Sequence, residues 1–345
     1  MNPKQRILVF RFSAMGDVAM TVPVLQALVA QNPQVEVVVI SRVFFAPFFK
    51  ELQGVSFVGI DLKNKYKGLL GLFRLYKELK KYQPDAIADL HDVLRTKVLR
   101  TFFRLSGFSI QKIDKGRAEK KALTRVKNKK FKALKTTHER YADVFRRLGY
   151  TLDLETVQPV RKDLSSQVRL FLQNFESDKL VGIAPFAAHM GKQYPLSKIK
   201  EIINMLLKEE HLSILLFGGG AEEKKQLQAL EGINRNRVVN VAGMFSFEEE
   251  LQIISRLNAM LSMDSGNAHI AALYGVPVTS IWGATHPFAG FAPFKQKASQ
   301  QLHPDLQKYP QLPTSIYGNK TVEGFDQIWD SIHPEEVAKT ILENM

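Results

Sequence analysis

Four short stretches hold side chains whose types and spacing could do chemistry. The richest is Asp264-Ser265-Gly266-Asn267-Ala268-His269, which follows the apolar run Ala259-Met260-Leu261-Ser262-Met263 and precedes Ile270-Ala271-Ala272-Leu273-Tyr274-Gly275. That order reads as a buried parallel strand, a turn of cap-forming residues, and a helix from about Asn267 to Tyr274 stopped by Gly275. The helix then opens at the carboxyl end of a strand, where its orphan N–H groups and its dipole suit a diphosphate. His269 falls in the first turn, within reach of the same anion. Any one of these residues also fits a capped core helix with a satisfied histidine; the combination points to a ligand. The second stretch, Lys192-Gln193-Tyr194-Pro195, brings a lysine into the loop after an apolar strand that ends near Pro185. In the third, Gly218-Gly219-Gly220-Ala221-Glu222-Glu223, the glycines let backbone approach a ligand closely and a carboxylate suits a ribose diol. Acids in a first helical turn are equally ordinary dipole partners. The fourth, Arg11-Phe12-Ser13-Ala14-Met15-Gly16-Asp17, is a small-residue loop after the first strand. Spacing alone reads Asp17 as a helix N-cap worth about 1 kcal/mol.

Together these stretches resemble glycosyltransferase family 9, the ADP-heptose:lipopolysaccharide heptosyltransferases. The family's donor-site signature stands here as Asp264, Ser265, Gly266, His269, Ala271, Ala272, Gly275, Pro277, Trp282, Gly283 and Thr285, and its N-terminal motif as Arg11, Ser13, Gly16, Asp17 and Pro23. The resemblance implies an α/β chain of the GT-B type, with two Rossmann-like domains facing across a cleft. It makes Asp17 the catalytic general base. It gives Lys192, Glu222, Asp264, Ser265, Gly266 and His269 to the donor, and Ser13 and Arg95 to the acceptor. The implied reaction is inverting, metal-independent transfer of a heptose from ADP-heptose to the inner core of lipopolysaccharide. No Asp-x-Asp pair occurs in the chain, and neither a metal nor a cofactor is expected. One departure concerns the loop before Lys192. The family commonly places hydroxyl residues there, whereas this chain has Ala187-Ala188. Two donors to phosphate are lost, which leaves a related transferase with a different nucleotide-sugar as the alternative.

Composition bounds these readings. The 345 residues are 45% apolar and 24% charged, ample for two packed domains. There is no cysteine, so disulfides and thiolate metal sites are excluded. The N-terminal apolar segment is too short for a signal-peptide core and no apolar run reaches a membrane span, so a cytoplasmic protein, peripheral at the inner membrane, is expected. The net charge of +14 is unevenly placed. Residues 1–150 carry 30 Lys and Arg against 12 Asp and Glu, and the remainder 18 against 22. Within 112–135 stand eleven basic residues against Asp114 and Glu119. Lys127, Lys129 and Lys130 in this segment are expected to form a cationic lip for a phosphorylated or acidic lipopolysaccharide-core acceptor, with transient contact to an anionic inner leaflet; a solvated loop is the plainer reading. A non-enzymatic nucleic-acid binder would explain the charge. It would leave Asp17, Lys192 and 264–285 unused, and Phe131 alone interleaves the basic run, so no base-stacking platform forms. The single Gly16 after the first strand rules out a dinucleotide fingerprint and a phosphate-binding Gly-Lys-Ser/Thr loop.

The elements that must position these residues follow from periodicity. An apolar strand, the Asp17 loop, an apolar helix with Pro23 near its start and a second strand open the chain in βαβ fashion. Phe44-Phe45-Ala46-Pro47-Phe48-Phe49 reads as core, with an exposed patch as the alternative. A strand ends in Asp89-Leu90-His91-Asp92, and Arg95 begins the next helix. The aperiodic polar stretch 150–166 marks the boundary between a domain at 1–160 that takes the acceptor and one at 161–330 that takes the nucleotide-sugar. A closing helix is expected at 331–345. Residues 288–330, rich in proline and aromatics, carry no readable function.

Overall fold

The computed structural model describes residues 5–176 and 178–345. The Val-, Ile- and Leu-rich runs form two separate parallel sheets, as expected of strands that are buried on both faces. Among the described residues no helix is long and apolar enough to cross a membrane.

The first unit comprises the chain up to Lys115 and Thr137–Gln158. Its strands β1 (Gln5–Phe10), β2 (Val35–Arg42), β3 (Val55–Ile60), β4 (Ala86–Asp89) and β5 (Ser109–Lys112) lie in the order β3-β2-β1-β4-β5. The order reverses between β1 and β4, which pair in register with Phe10 opposite Asp89. Between β1 and β2 the expected single helix is two, α1 (Met15–Ala19) and α2 (Thr21–Gln31), broken at Met20. Pro23 lies in the first turn of α2, where its missing N–H costs nothing. Helices α3 (Gly68–Lys80) and α4 (Leu94–Leu105) pack side by side through the Phe73–Phe102 and Tyr76–Phe103 ring contacts. Phe45, Phe48 and Phe49 enter the core and Phe44 stays outside, so the aromatic cluster divides between its two readings.

Residues 116–136 leave this unit and fold with the second, although sequence placed them in the first domain. The reason is apolar: α5 (Arg117–Thr124) contributes Leu123, which joins Leu134 and Ala289 in a small core flanked by Phe288 and Phe291. The Leu134 N–H donates to the Phe288 carbonyl at 2.9 Å. The chain then returns to the first unit with α6 (Thr137–Arg146).

The second unit continues from Pro159. Following α7 (Ser166–Gln173), it alternates β6 (Lys179–Ala184), α8 (Leu196–Leu206), β7 (Leu212–Leu216), α9 (Gly220–Glu231), β8 (Val238–Asn240), α10 (Phe247–Ile254), β9 (Ala259–Met263), α11 (Gly266–Leu273) and β10 (Val278–Ile281). A short β11 (Gln301–Leu302) completes a sheet ordered β11-β10-β9-β6-β7-β8. Here the order reverses between β6 and β9. The helix α12 (Pro334–Glu343) buries Val337, Ala338 and Ile341 in the core that also holds Ile199, Ile203 and Trp329. Residues 288–330 wrap onto that same core: the Tyr194 hydroxyl donates to the Ile332 carbonyl at 2.6 Å and Trp329 packs edge-on against the Tyr194 ring.

Candidate active site

In open parallel sheets, ligands bind beyond the carboxyl ends of the strands where the strand order reverses. Each unit has one such point, and the predicted chemistry gathers at both.

In the first unit the reversal lies between β1 and β4. Asp17 is the third residue of α1, not its N-cap; that position is Ala14, whose N–H donates to Asp17 Oδ2 at 3.3 Å. The same oxygen meets Arg11 Nη2 at 2.5 Å. Arg11 is buried at the end of β1, donates from Nη1 to the Leu90 carbonyl at 2.9 Å, and lies over the Tyr141 ring of α6. The carboxylate is 29% exposed, so it is oriented by Arg11 and still reachable. His91, beyond β4, accepts the Phe12 N–H on Nδ1 at 3.3 Å. Burial, with Arg11 nearby, lowers its pKa to about 3, so near neutral pH it is an uncharged wall of the site. Tyr141 is buried and its hydroxyl pKa is raised by desolvation, which keeps it a donor.

Asp89 and Asp92, the other carboxylates at this edge, are tied to Arg100 of α4. Arg100 Nε lies 3.1 Å from Asp89 Oδ2, and Nη2 lies 2.9 Å from Asp92 Oδ1. Asp89 Oδ1 accepts the His91 and Asp92 N–H groups at 2.9 Å each. With all three side chains buried, this is a charge cluster that shapes the β4–α4 turn. Ser13 lies half-buried in the Asp17 loop, and Arg95 is exposed on the first turn of α4.

In the second unit Lys192 follows β6 and Asp264 directly follows β9, so the pair spans the reversal. Lys192 Nζ lies 2.8 Å from Asp264 Oδ2 and donates to the Asp264 carbonyl at 3.3 Å, with side chains 15% and 7% exposed. Gly318 packs on the lysine stem: a Cβ there, at φ +79°, would stand 2.5 Å from Lys192 Cγ. Ser265 is the N-cap of α11, yet its hydroxyl makes no capping bond and lies 3.0 Å from Ser262 Oγ. Gly266 and Asn267 open the helix, and the Asn267 Oδ1 is buried with no hydrogen-bond partner. His269 is buried within α11, and Gly275, at φ +75°, ends the helix as its sequence requires. Gly283, after β10, has no room for a side chain, since Trp329 and the Gly191 carbonyl would stand 2.4 and 2.5 Å from its Cβ. The Ala284 N–H donates to that carbonyl at 2.7 Å and fixes the loop that carries Lys192.

The remaining expected residues are placed differently from one another. Glu222 is exposed on the first turn of α9 and accepts from Gln226 Nε2 at 3.0 Å, while its neighbour Glu223 accepts the Gly219 N–H at 2.7 Å. Lys127 and Lys130 are exposed. Lys129 is instead a structural cation: its ammonium donates to the carbonyls of Gln311, Leu312 and Pro313 at 2.7, 2.8 and 3.2 Å, and burial lowers its pKa. The Ala187 carbonyl, in the loop lacking hydroxyls, accepts from Gln193 Nε2 at 2.6 Å.

Sequence reading missed Arg11 as the partner of Asp17, and missed His91, Tyr141 and Arg100. A signal existed for one of them. Thr96, Leu99, Arg100 and Phe103 share the buried face of α4 by their spacing, and an arginine on a core face requires a carboxylate partner.

The sequence profile of glycosyltransferase family 9 (heptosyltransferase) matches residues 72–319. The chain is similar to the lipopolysaccharide core heptosyltransferase OpsX of Haemophilus influenzae, at 24% identity over 287 residues, covering 81% of this chain and 80% of the relative. Among solved structures, a glycosyl transferase family 9 protein from Veillonella parvula superposes with a TM-score of 0.73 at 18% identity, covering 99% of each chain. The Escherichia coli heptosyltransferase WaaC with ADP gives a TM-score of 0.68 at 18% identity, covering 99% of this chain and 100% of that one.

Proposed function

The chain belongs to glycosyltransferase family 9, and on that footing we propose that this glycosyltransferase of the GT-B fold moves a heptose from ADP-heptose to the inner core of lipopolysaccharide, with inversion and without a metal. The observation that carries the reading is the pairing of two strand-order reversals, one with an oriented and reachable carboxylate, the other with a lysine beside a helix N-terminus. Asp17 takes the proton of the acceptor hydroxyl as its oxygen attacks the anomeric carbon. The bond from that carbon to the diphosphate oxygen breaks on the opposite face, and the charge left on ADP is met by Lys192 and the first-turn amides of α11. In this reading protein groups supply the stabilisation of the leaving diphosphate. ADP as the nucleotide is supported by the solved WaaC with ADP, and a lipopolysaccharide acceptor by the name of the H. influenzae relative and by the basic residues of 1–150.

A thermal-shift series with ADP, UDP, GDP and their sugars tests the donor. A ligand at a hundred times its dissociation constant adds about 2.7 kcal/mol of stability. The largest shift is expected from ADP and ADP-heptose. A larger shift from another base would favour a different nucleotide-sugar, the alternative that Ala187-Ala188 raises. The anomeric configuration of the product, read by NMR, tests inversion.

A further inference from the structure

The carboxyl edge of the first unit's sheet exposes large apolar side chains. Val43 and Phe44, in the turn after β2, are 64% and 56% exposed. Leu69 and Leu70, at the start of α3, are 63% and 85% exposed, and Leu94, which opens α4, is 78% exposed. Helix α3 buries Leu72, Leu75, Tyr76 and Leu79 in the core, and its Phe73 ring meets Phe102 of α4. Its outer face presents Leu69 and Leu70 beside Arg74 and Lys77 at helical spacing, with the half-packed Phe73 ring at their edge. Helix α4 lies beside α3 and also starts at the carboxyl edge, which exposes Leu94 on the same edge of the unit.

The patch is ringed by cations. Lys63, Lys65 and Lys67 are exposed in the turn before α3, and Lys77 lies over the Phe73 ring. The nearby acids are already engaged. Asp61 accepts the N–H groups of Lys63 and Asn64, and Glu78 accepts from Lys65 Nζ at 3.0 Å and the Tyr66 hydroxyl at 2.6 Å. Exposed leucines in a basic ring are the chemistry of an interfacial membrane surface, in which apolar tips enter the headgroup region and cations meet anionic lipid.

We infer that this edge of the first unit docks on an anionic lipid bilayer. Charge complementarity selects the occupant, since the first unit carries 21 Lys and Arg against 13 Asp and Glu and its cations ring the exposed leucines. Asp17 stands at the same carboxyl edge, after β1. Docking there would bring the catalytic loop to a lipid-borne acceptor, and in that respect the inference rests on the proposed transfer.

Sedimentation with vesicles tests it without donor or acceptor, so its failure is distinct from failure of the proposed reaction. The parent protein is expected to pellet with phosphatidylcholine vesicles containing roughly a third phosphatidylglycerol, and to stay in solution with phosphatidylcholine alone. Leu69→Ser/Leu70→Ser should weaken partitioning by roughly tenfold or more, as buried apolar area is lost. Lys67→Gln/Arg74→Gln should weaken it by roughly 25-fold at low salt and far less at high salt. All four positions are exposed, and an unchanged melting temperature confirms that the variants fold. The inference is overturned if the parent ignores anionic vesicles or binds neutral ones equally, or if both double variants pellet like the parent. It is overturned as well if sedimentation velocity shows a dimer that Leu69→Ser/Leu70→Ser makes monomeric, which would give the face to a second copy.

Discussion

Replacing Lys192 by Met removes the charge that spans the second unit's strand-order reversal and keeps the aliphatic stem under Gly318. Asp264, 7% exposed, is then left as a buried carboxylate without its counter-ion. Breaking a buried pair from one side costs about 3–5 kcal/mol, and the partial exposure of the lysine puts this case near about 3. In a unit of roughly 200 residues that lowers the melting temperature by roughly 6–12 °C. Loss of a charge-assisted bond to phosphate should also weaken ADP binding by about 1.5–3 kcal/mol, roughly 10- to 150-fold. The two effects separate in the double variant Lys192→Met/Asp264→Asn. Neutralising the stranded carboxylate is expected to recover most of the stability, while ADP affinity by calorimetry stays low. A double variant that binds ADP like the parent would remove Lys192 from the donor site. A single variant that melts like the parent would show that the pair contributes nothing to the fold.

Other outcomes follow from the same geometry. Asp17→Asn keeps an oxygen for the Ala14 N–H and withdraws the charge facing Arg11. It should cost about 1–3 kcal/mol in stability and at least about a hundredfold in kcat, with ADP affinity unchanged; a parental rate would reduce Asp17 to the partner of Arg11. Lys127→Gln/Lys130→Gln should raise the acceptor KM and flatten its salt dependence without moving ADP affinity, whereas Lys129→Met should act on stability because its ammonium serves three carbonyls. Burial in α10 raises Glu250 to a pKa of about 7. The unfolded chain therefore binds fewer protons than the folded one between pH 4.5 and 7, and stability falls as pH rises through that window. Glu250→Gln should remove this slope, gaining about 3 kcal/mol at pH 8 and nothing at pH 4; equal gains at both pH values in urea titrations would refute the assignment.

Local chemistry made much of the protein legible from sequence. The run 259–281 declares its strand, turn, helix and strand because the buried strands are continuous apolar runs and Gly275 can end a helix at positive φ. Local spacing sets Asp17, Lys192 and Asp264 just beyond strands, and the resemblance to the family's motifs makes them candidates. Sequence could not say which of these positions are neighbours. Lys192 and Asp264 are 72 positions apart and meet only because β9 returns to pair with β6. Arg11, Asp17, His91 and Tyr141 likewise converge because β4 takes its place beside β1. The transfer of residues 116–136 to the second unit was hidden for the same reason. A segment dominated by lysine reads as solvated loop, and the two leucines that decide its partner find their core only where 288–291 is folded beside them. Composition and periodicity fix what a segment can be. Which segments meet is decided by the sheet order, a property of long-range burial that no local window contains.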